Sequence, residues 1–236
     1  GNWLTVQSDG SNTAAYGAAV SPSVNAKVVA TTSSGNNAFV GGVVGWSNVW
    51  NSTTTLNDTH VTGALVSGPG AYVGGLVGYA YNLNANNSYV DGTTISGTGA
   101  SNTSVYVGGM AGFAYSATLS NGHVNSPGIS ATGNYVGGLM GSAYWSSSIS
   151  NMYVNSDVST TGSSYVAGLL GNMGQSGSTN GGKIVDAYYT GNITLSGTTP
   201  SHFGGLVGYM IPGTWISNSY YDIDNSKINS NKVVTP

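Results

Sequence analysis

The sequence predicts an all-β fold, namely a parallel β-solenoid (β-helix) of about six to seven coils with three short strands in each coil. Three observations lead to this prediction: an eight-residue block recurs six times, each repeat holds three β-type runs without helical spacing, and charged residues make up only 5% of the 236 residues. A repeat of about 30 residues cannot bury its own apolar face, whereas stacked repeats bury a continuous core.

The recurring block has the pattern aromatic-Val-Gly-Gly-apolar-apolar-Gly. Its copies are Phe39–Trp46, Tyr72–Tyr79, Tyr106–Phe113, Tyr135–Ser142, Tyr165–Asn172 and His202–Tyr209. The paired glycines predict a tight corner, a bulge or a close approach to the neighbouring coil. Ala167 replaces the first glycine in the fifth copy, so the second glycine is the candidate for a positive φ. This second position is held by Gly42, Gly75, Gly109, Gly138, Gly168 and Gly205.

A second block, apolar-x-Asn/Asp-x-aromatic-Val/Tyr, follows each copy of the first. Its third position is expected to form a hydrogen-bonded ladder between coils and to bond its own turn. That position is held by Asp58, Asn87, Asn121, Asn151, Asp186 and Asn218. Two residues later the pattern predicts an aromatic stack on the same strand face. Its members are His60, Tyr89, His123, Tyr153, Tyr188 and Tyr220.

A third, looser run such as Thr93–Gly97 ends most repeats, and the pattern fades at both ends of the chain. Residues 1–38 contain a degenerate copy and are interpreted as an N-terminal coil or cap. Residues 39–221 form the predicted six-coil solenoid. Residues 222–236 are interpreted as a C-terminal cap or a linker, since atypical ends are usual in repeat proteins.

The low charge count fits this architecture. A residue repeated in one column lies about 4.8 Å from its copies, so a charge there would repel itself. The four lysines and the absence of arginine argue against nucleic-acid binding, which needs clustered cations. Cysteine is absent, which excludes disulfides and thiolate metal sites. No apolar run approaches the roughly 18 residues of a membrane-spanning helix.

The recurring YVGGLVGY with its downstream I-x-N-x-Y-V resembles the GLUG motif over about residues 39–225. This motif occurs in tandem in large secreted bacterial surface proteins, among them filamentous-haemagglutinin-like adhesins and the non-catalytic regions of some immunoglobulin-A-cleaving proteases. The resemblance implies a secreted β-solenoid at the bacterial cell surface. It carries over no catalytic residue.

Candidate catalytic groups are few. The seven acidic residues are all aspartates, and Asp58 and Asp186 share one column but lie four coils apart. The three histidines stand where other copies have tyrosine, which favours aromatic stacking over catalysis. Asp222 and Asp224 form a fragment of a calcium-loop pattern without its glycine and glutamate, which favours a capping turn. We therefore predict no catalytic site, no metal and no cofactor, and expect a protein that is not an enzyme.

Aromatic residues cluster in the connection after the first block. If these connections share one face, they form an exposed stripe that stacks on saccharides or on another protein. The competing interpretation is that they pack on the core as corner residues. The stripe residues are Trp46, Trp50, Tyr79, Tyr81, Phe113, Tyr115, Tyr144, Trp145 and Trp215.

The resulting functional hypothesis is a non-catalytic structural and adhesive segment of a secreted bacterial cell-surface protein, a rigid rod that presents a contact surface. The alternative is a subunit of a self-assembling extracellular filament, because the chain has few charged residues that would prevent its strand edges from pairing with another chain. The expected partners are a glycan or protein of a host or other surface, or copies of the chain itself. A polysaccharide-degrading enzyme and an ice-binding protein are disfavoured, by the scarcity of acidic residues and by the irregular threonines.

Overall fold

The computed structural model describes residues 4–7, 14–15, 23–24, 27–31, 38–47, 53–69, 72–99, 104–162, 165–175, 177–196, 201–224, 227–228 and 231–232. Within these ranges the chain is all-β and has no helix. The strands form a parallel β-solenoid, so the predicted fold class is confirmed. No helix long and apolar enough to cross a membrane is found in the described ranges.

Twenty-eight short strands follow one another in the described residues. The N-terminal strands are β1 (Leu4–Gln7), β2 (Ala14–Ala15), β3 (Ser23–Val24) and β4 (Lys27–Thr31). The first repeat holds β5 (Phe39–Gly41), β6 (Val44–Ser47), β7 (Thr54–Asn57), β8 (His60–Thr62) and β9 (Leu65–Pro69). The second holds β10 (Tyr72–Gly74), β11 (Val77–Asn86), β12 (Tyr89–Asp91) and β13 (Thr94–Thr98).

The later repeats join some of these strands into longer ones. The third and fourth repeats hold β14 (Tyr106–Gly108), β15 (Ala111–Thr132), β16 (Tyr135–Gly137), β17 (Met140–Ala143) and β18 (Ser148–Thr160). The fifth holds β19 (Tyr165–Ala167), β20 (Leu170–Met173), β21 (Lys183–Thr190) and β22 (Ile193–Leu195). The sixth holds β23 (His202–Gly204), β24 (Val207–Met210), β25 (Trp215–Ser217), β26 (Tyr220–Tyr221) and β27 (Lys227–Ile228), followed by β28 (Asn231–Lys232).

Equivalent strands of successive repeats pair in parallel and in register. Tyr72, for example, pairs with Phe39 on one side and with Tyr106 on the other. The first strands of the repeats, together with β2, form a seven-stranded sheet, and the remaining strands form a 21-stranded sheet. Among the described strands only β27 and β28 pair antiparallel. The N-terminal strands β2, β3 and β4 continue the stack below the first repeat.

The chain bends once within the first block and once within the second, and each bend divides one predicted strand into two. The first repeat therefore has five short strands, where three were predicted. The bend in the second block lies at the Asn/Asp position. All six of these residues have a positive φ, between 45° and 54°. Asn and Asp tolerate this left-handed conformation better than other residues with a Cβ atom, because their short polar side chains can hydrogen-bond locally.

The second glycine of the first block has a different role from the one predicted. A positive φ was expected there and is wrong, because none of these glycines is among the positive-φ residues of the described chain. Glycine is required by close packing instead. A Cβ atom on Gly138 would clash with the carbonyl oxygen of Gly168 in the next repeat. The same clash with the following repeat applies to Gly42, Gly75, Gly109 and Gly168, while a Cβ atom on Gly205 would meet the ring of Tyr221.

The core lies inside the coil and is built from columns of apolar side chains. One column holds Leu76, Met110, Leu139 and Leu169, which are at most 1% exposed. Another holds Val61, Val90, Val124, Val154 and Tyr189, all fully buried. In these columns in-register stacking gives each apolar residue an apolar neighbour in the next repeat, so the core is continuous along the rod.

Candidate functional site

A wall of stacked aromatic rings runs along the rod at the first position of the first block. We call it the aromatic wall. Successive ring centroids are 5.0, 4.9, 4.4, 4.7 and 4.7 Å apart, and neighbouring planes lie within 10° of parallel. Its members are Phe39, Tyr72, Tyr106, Tyr135, Tyr165 and His202.

A second layer of aromatic rings packs edge-on against the aromatic wall. Phe113 meets Tyr106 in a T-shaped contact at 5.2 Å and meets Tyr144 at 4.9 Å. Tyr115 lies 4.9 Å from Trp145, whose indole Nε1–H donates a hydrogen bond of 2.9 Å to Gln175 Oε1. Offset and T-shaped ring pairs of this kind are the favoured arrangements.

Seven of the nine predicted stripe residues therefore belong to one packed cluster with the wall, rather than to a long exposed stripe. Phe113 and Tyr81 are buried, and only Trp46 among the seven reaches 37% exposure. Trp215 lies apart from the cluster at the sixth repeat and is 52% exposed, and Trp50 falls outside the described residues. The cluster residues are Trp46, Tyr79, Tyr81, Phe113, Tyr115, Tyr144 and Trp145.

Burial in this cluster changes the acidity of its phenols. Loss of solvent raises the pKa of Tyr79 to about 12, and the phenols of Tyr115, Tyr72 and Tyr81 add to the shift. Burial also raises the pKa of Tyr106. The hydroxyls of Tyr79 and Tyr106 are therefore neutral at physiological pH and act as hydrogen-bonding groups only.

The Asn/Asp bends form part of the predicted ladder. Asn87 Nδ2 donates a hydrogen bond to Asp58 Oδ1 in the repeat below. Asn151 Nδ2 donates to Asn121 Oδ1, and Asn121 Nδ2 donates to Asn86 Oδ1, each at 3.0 Å. These bonds connect successive coils at the solvent-exposed corner. The two remaining ladder residues named from the sequence, Asp186 and Asn218, also have the left-handed conformation.

The aromatic position of the second block forms a second stack on the outer face of the rod. His60 stacks on Tyr89 at 3.6 Å, Tyr89 on His123 at 4.8 Å, and His123 on Tyr153 at 4.7 Å. His123 Nε2 also lies 3.0 Å from Asp91 Oδ1. The prediction that the histidines substitute for tyrosine in aromatic columns is confirmed, since His202 likewise ends the aromatic wall.

A cleft of about 380 Å³ is formed by residues of the second, third and fourth repeats, and we call it the outer cleft. It was not predicted from the sequence, although the alternation Tyr-x-Asn-x-Asp in β18 is a usable signal for three polar or aromatic side chains on one strand face. The cleft is lined by Gly92, Asn125, Ser126, Pro127, Asn155, Ser156 and Asp157.

The Asp222–Asp224 segment forms a turn. The backbone N–H of Asp224 donates a hydrogen bond of 3.0 Å to Asp222 Oδ1, which is the geometry of a side-chain-capped turn. Across the described ranges, no group of three or more His, Asp, Glu or Cys residues is placed to hold a metal ion.

The fold and its columns define the chain as a β-solenoid repeat protein. No protein-family model and no curated protein sequence matches it. A solved structure described as "a putative immunoglobulin A1 protease from Bacteroides ovatus" is similar in fold, with a TM-score of 0.63 and 18% sequence identity. The similarity covers the whole of this chain and 74% of that chain.

This comparison corrects one prediction. We predicted from the sequence that the chain is not an enzyme, and that prediction is wrong on this comparison, because the similar structure is described as that of a protease. The exclusion of catalysis is therefore withdrawn. At 18% identity the likeness shows the fold alone, so it assigns no catalytic residue and no substrate to this chain.

Proposed function

We propose that the chain is a structural and adhesive segment of a secreted bacterial cell-surface protein, a rod that presents a contact surface. The observation that carries this proposal is the in-register pairing of all six repeats, from Phe39–Tyr72 to Tyr165–His202. Stacking at about 4.8 Å per coil gives six repeats a core about 29 Å long. The resemblance to GLUG repeats supports the extracellular setting, and the similar structure comes from a bacterium.

Rigidity along the rod comes from three kinds of contact that repeat from coil to coil. Backbone pairing joins equivalent strands, stacked rings join the aromatic positions, and amide hydrogen bonds join the corners. Each contact involves nearest neighbours only, so stability grows with each added repeat. Such a rod can hold a surface away from the cell without a large globular core.

The proposal is tested on intact bacteria that express the protein and with the purified chain. We expect a protease added outside the cells to release fragments of the chain, and we expect the purified chain to attach to immobilised extracellular glycoproteins. Heat-unfolded chain and albumin serve as controls for nonspecific attachment. Fragments that appear only after the cells are lysed, together with attachment no greater than that of albumin, would reject this function.

A second candidate, the filament subunit, is favoured by the sixth repeat. Eight large apolar residues of the described chain are exposed, and five of them lie here. Phe203 continues the column that runs through Val40, Val73, Val107, Val136 and Val166, which are fully buried, yet it is 47% exposed. The apolar end of a solenoid with unpaired strand edges can accept another set of strands. The five residues are Phe203, Met210, Trp215, Tyr220 and Ile223.

A further inference from the structure

The outer face of strand β18 places three side chains with binding chemistry in one row. Tyr153, Asn155 and Asp157 are exposed, whereas Met152, Val154, Ser156 and Val158 between and beside them are buried. Successive side chains of a strand point to opposite faces, so alternate residues lie about 6.7 Å apart on the same face. The row is therefore set by the strand backbone and not by a loop.

Neighbouring repeats hold this row in place. Asn155 Nδ2 donates a hydrogen bond of 3.1 Å to Asn125 Oδ1 in the third repeat. On the other side, Asp157 Oδ1 accepts hydrogen bonds from the backbone N–H and the Nδ2 of Asn192, at 2.7 and 3.2 Å. The polar side chains are thus oriented before any ligand arrives, which lowers the entropy cost of binding.

The outer cleft opens beside the row because of two local features. Between Ser126 and Ile129 the third repeat carries one residue more than the fourth, and this register shift brings Pro127 to the exposed rim. In the second repeat Gly92 has a φ of 56°, and a Cβ atom there would have no neighbour closer than 3.7 Å. The cleft of about 380 Å³ is thus a recess lined in part by the exposed face of β18.

An aromatic ring lies on the same face of β18 as the cleft residue Asn155, two residues before it. Tyr153 stacks on His123 on one side, and the run of stacked rings ends there, because no ring contact joins Tyr153 to its in-register neighbour Tyr188 within the described chain. Tyr153 is 44% exposed. An aromatic ring that its own column does not cover on both sides offers an apolar surface to a ligand.

Polar atoms of the outer cleft complete the site. Within the described residues, Asn125 Nδ2, Asn155 Oδ1 and the second carboxylate oxygen of Asp157 make no hydrogen bond. They provide an amide donor, an amide acceptor and a charged acceptor within one recess. Hydroxyl groups, which both donate and accept, match this set, and a pyranose adds an apolar C–H face for the ring.

The charge of the outer cleft determines which class of saccharide it can bind. The outer cleft contains the carboxylate of Asp157 and no cationic side chain, and the sequence has no arginine at all. A uronate or sulfate group would meet an unpaired negative charge here, which disfavours binding. We propose that the outer cleft is a binding site for neutral saccharides, with a pyranose ring against Tyr153 and its hydroxyls on Asn125, Asn155 and Asp157. This site rests on the proposed function, since it names the partner class of the contact surface.

The test uses the full chain and defined polysaccharides. We expect at least one of mannan, xylan, a mixed-linkage β-glucan or galactan to retard the chain in affinity electrophoresis, and polygalacturonate and heparin to have no effect. Tyr153→Ala and Asn155→Ala are expected to weaken binding about tenfold or more, each by loss of one contact. Tyr153→Phe keeps the ring and is expected to retain most binding. Asn57→Ala, an exposed asparagine far from the cleft in the first repeat, is the matched control.

Each outcome decides the proposal. Circular dichroism of every variant separates lost binding from lost folding, and Tyr153→Phe supplies a second, conservative variant. Binding that survives Tyr153→Ala, that prefers the anionic polymers, or that is absent with every neutral polymer overturns the site. If the chain still attaches to glycoproteins while no neutral saccharide binds, the site fails and the proposed adhesive function stands. If both fail, the proposed function fails with it.

Discussion

Asn151 donates a hydrogen bond from Nδ2 to Oδ1 of Asn121 in the preceding repeat at 3.0 Å, and both residues have left-handed backbone conformations with φ of 50° and 54°. One residue type thus meets two requirements at the same corner. The left-handed bend needs a residue that tolerates positive φ, and the stack needs a side chain that can both donate and accept. Glycine meets the first requirement and serine the second, but asparagine meets both.

Substitution at Asn151 separates these two contributions. Asn151→Ala loses the amide bond and places a methyl group in the left-handed region, so we expect the free energy of unfolding to fall by about 2 kcal/mol. Asn151→Gly loses only the bond and is expected to cost about 1 kcal/mol. Urea unfolding followed by circular dichroism measures both, with Asn57→Ala as the control. Equal losses for the two variants would show that backbone conformation contributes nothing here.

The close approach of coils at the paired glycines gives a second prediction. A Cβ atom at Gly138 would clash with the carbonyl oxygen of Gly168, which is a backbone atom of the next repeat and not the end of a flexible side chain. We therefore expect Gly138→Ala to lower the free energy of unfolding by about 3 kcal/mol through overpacking. Gly162→Ala is the matched control, because a Cβ atom at Gly162 would meet no atom of the described residues within 4 Å. A control variant as unstable as Gly138→Ala would contradict the packing explanation.

The repeat pattern was sufficient to predict the fold, because in-register stacking requires the same alternation of buried and exposed residues in every coil. The aromatic stack at His123 followed from spacing alone, since equal positions in successive repeats become neighbours. The backbone role of the second glycine could not be predicted. Glycine at a corner fits either a positive φ or a close contact, and only coordinates separate these for Gly75.

The candidate site was harder to predict for a related reason. Whether Tyr115 or Trp145 faces solvent depends on which neighbouring rings cover it, and those rings come from other repeats. The outer cleft depends on one additional residue near Pro127 in the third repeat relative to the fourth. Local sites arise where one repeat differs from its neighbours. A search for recurring sequence motifs detects only the positions that the repeats share, so it misses such sites.

Alkaline pH is expected to destabilise the aromatic cluster. An unfolded tyrosine loses its proton near the ordinary pKa of 10.0, whereas burial raises the pKa of Tyr79 in the folded chain to about 12. Between these values the unfolded chain has released a proton that the folded chain still holds, so stability is complete below pH 10 and falls as pH rises toward 12. Urea unfolding at a series of pH values, with tyrosinate absorbance, measures the effect.

Tyr79→Phe is the control for this pH dependence, because Phe113 occupies the equivalent position in the third repeat. We expect the variant to fold and to lose stability less steeply above pH 10. An unchanged slope would show that other phenols, such as Tyr106, account for the whole effect.

The apolar end of the sixth repeat gives the last prediction. Within the described residues β23, β24, β25 and β26 each pair with a strand on one side only, and Phe203 and Tyr220 are 47% and 64% exposed beside these edges. Self-association would pair the free edges and cover these side chains, so we expect the sedimentation coefficient of the chain to rise with concentration.

Phe203→Lys and Tyr220→Lys place a charge on the end face and are expected to keep the chain monomeric. Thr194→Lys adds the same charge to the side of the fifth repeat and controls for net charge. Association that persists in both end-face variants would exclude this end as the interface, and a chain that stays monomeric at every concentration would exclude the filament.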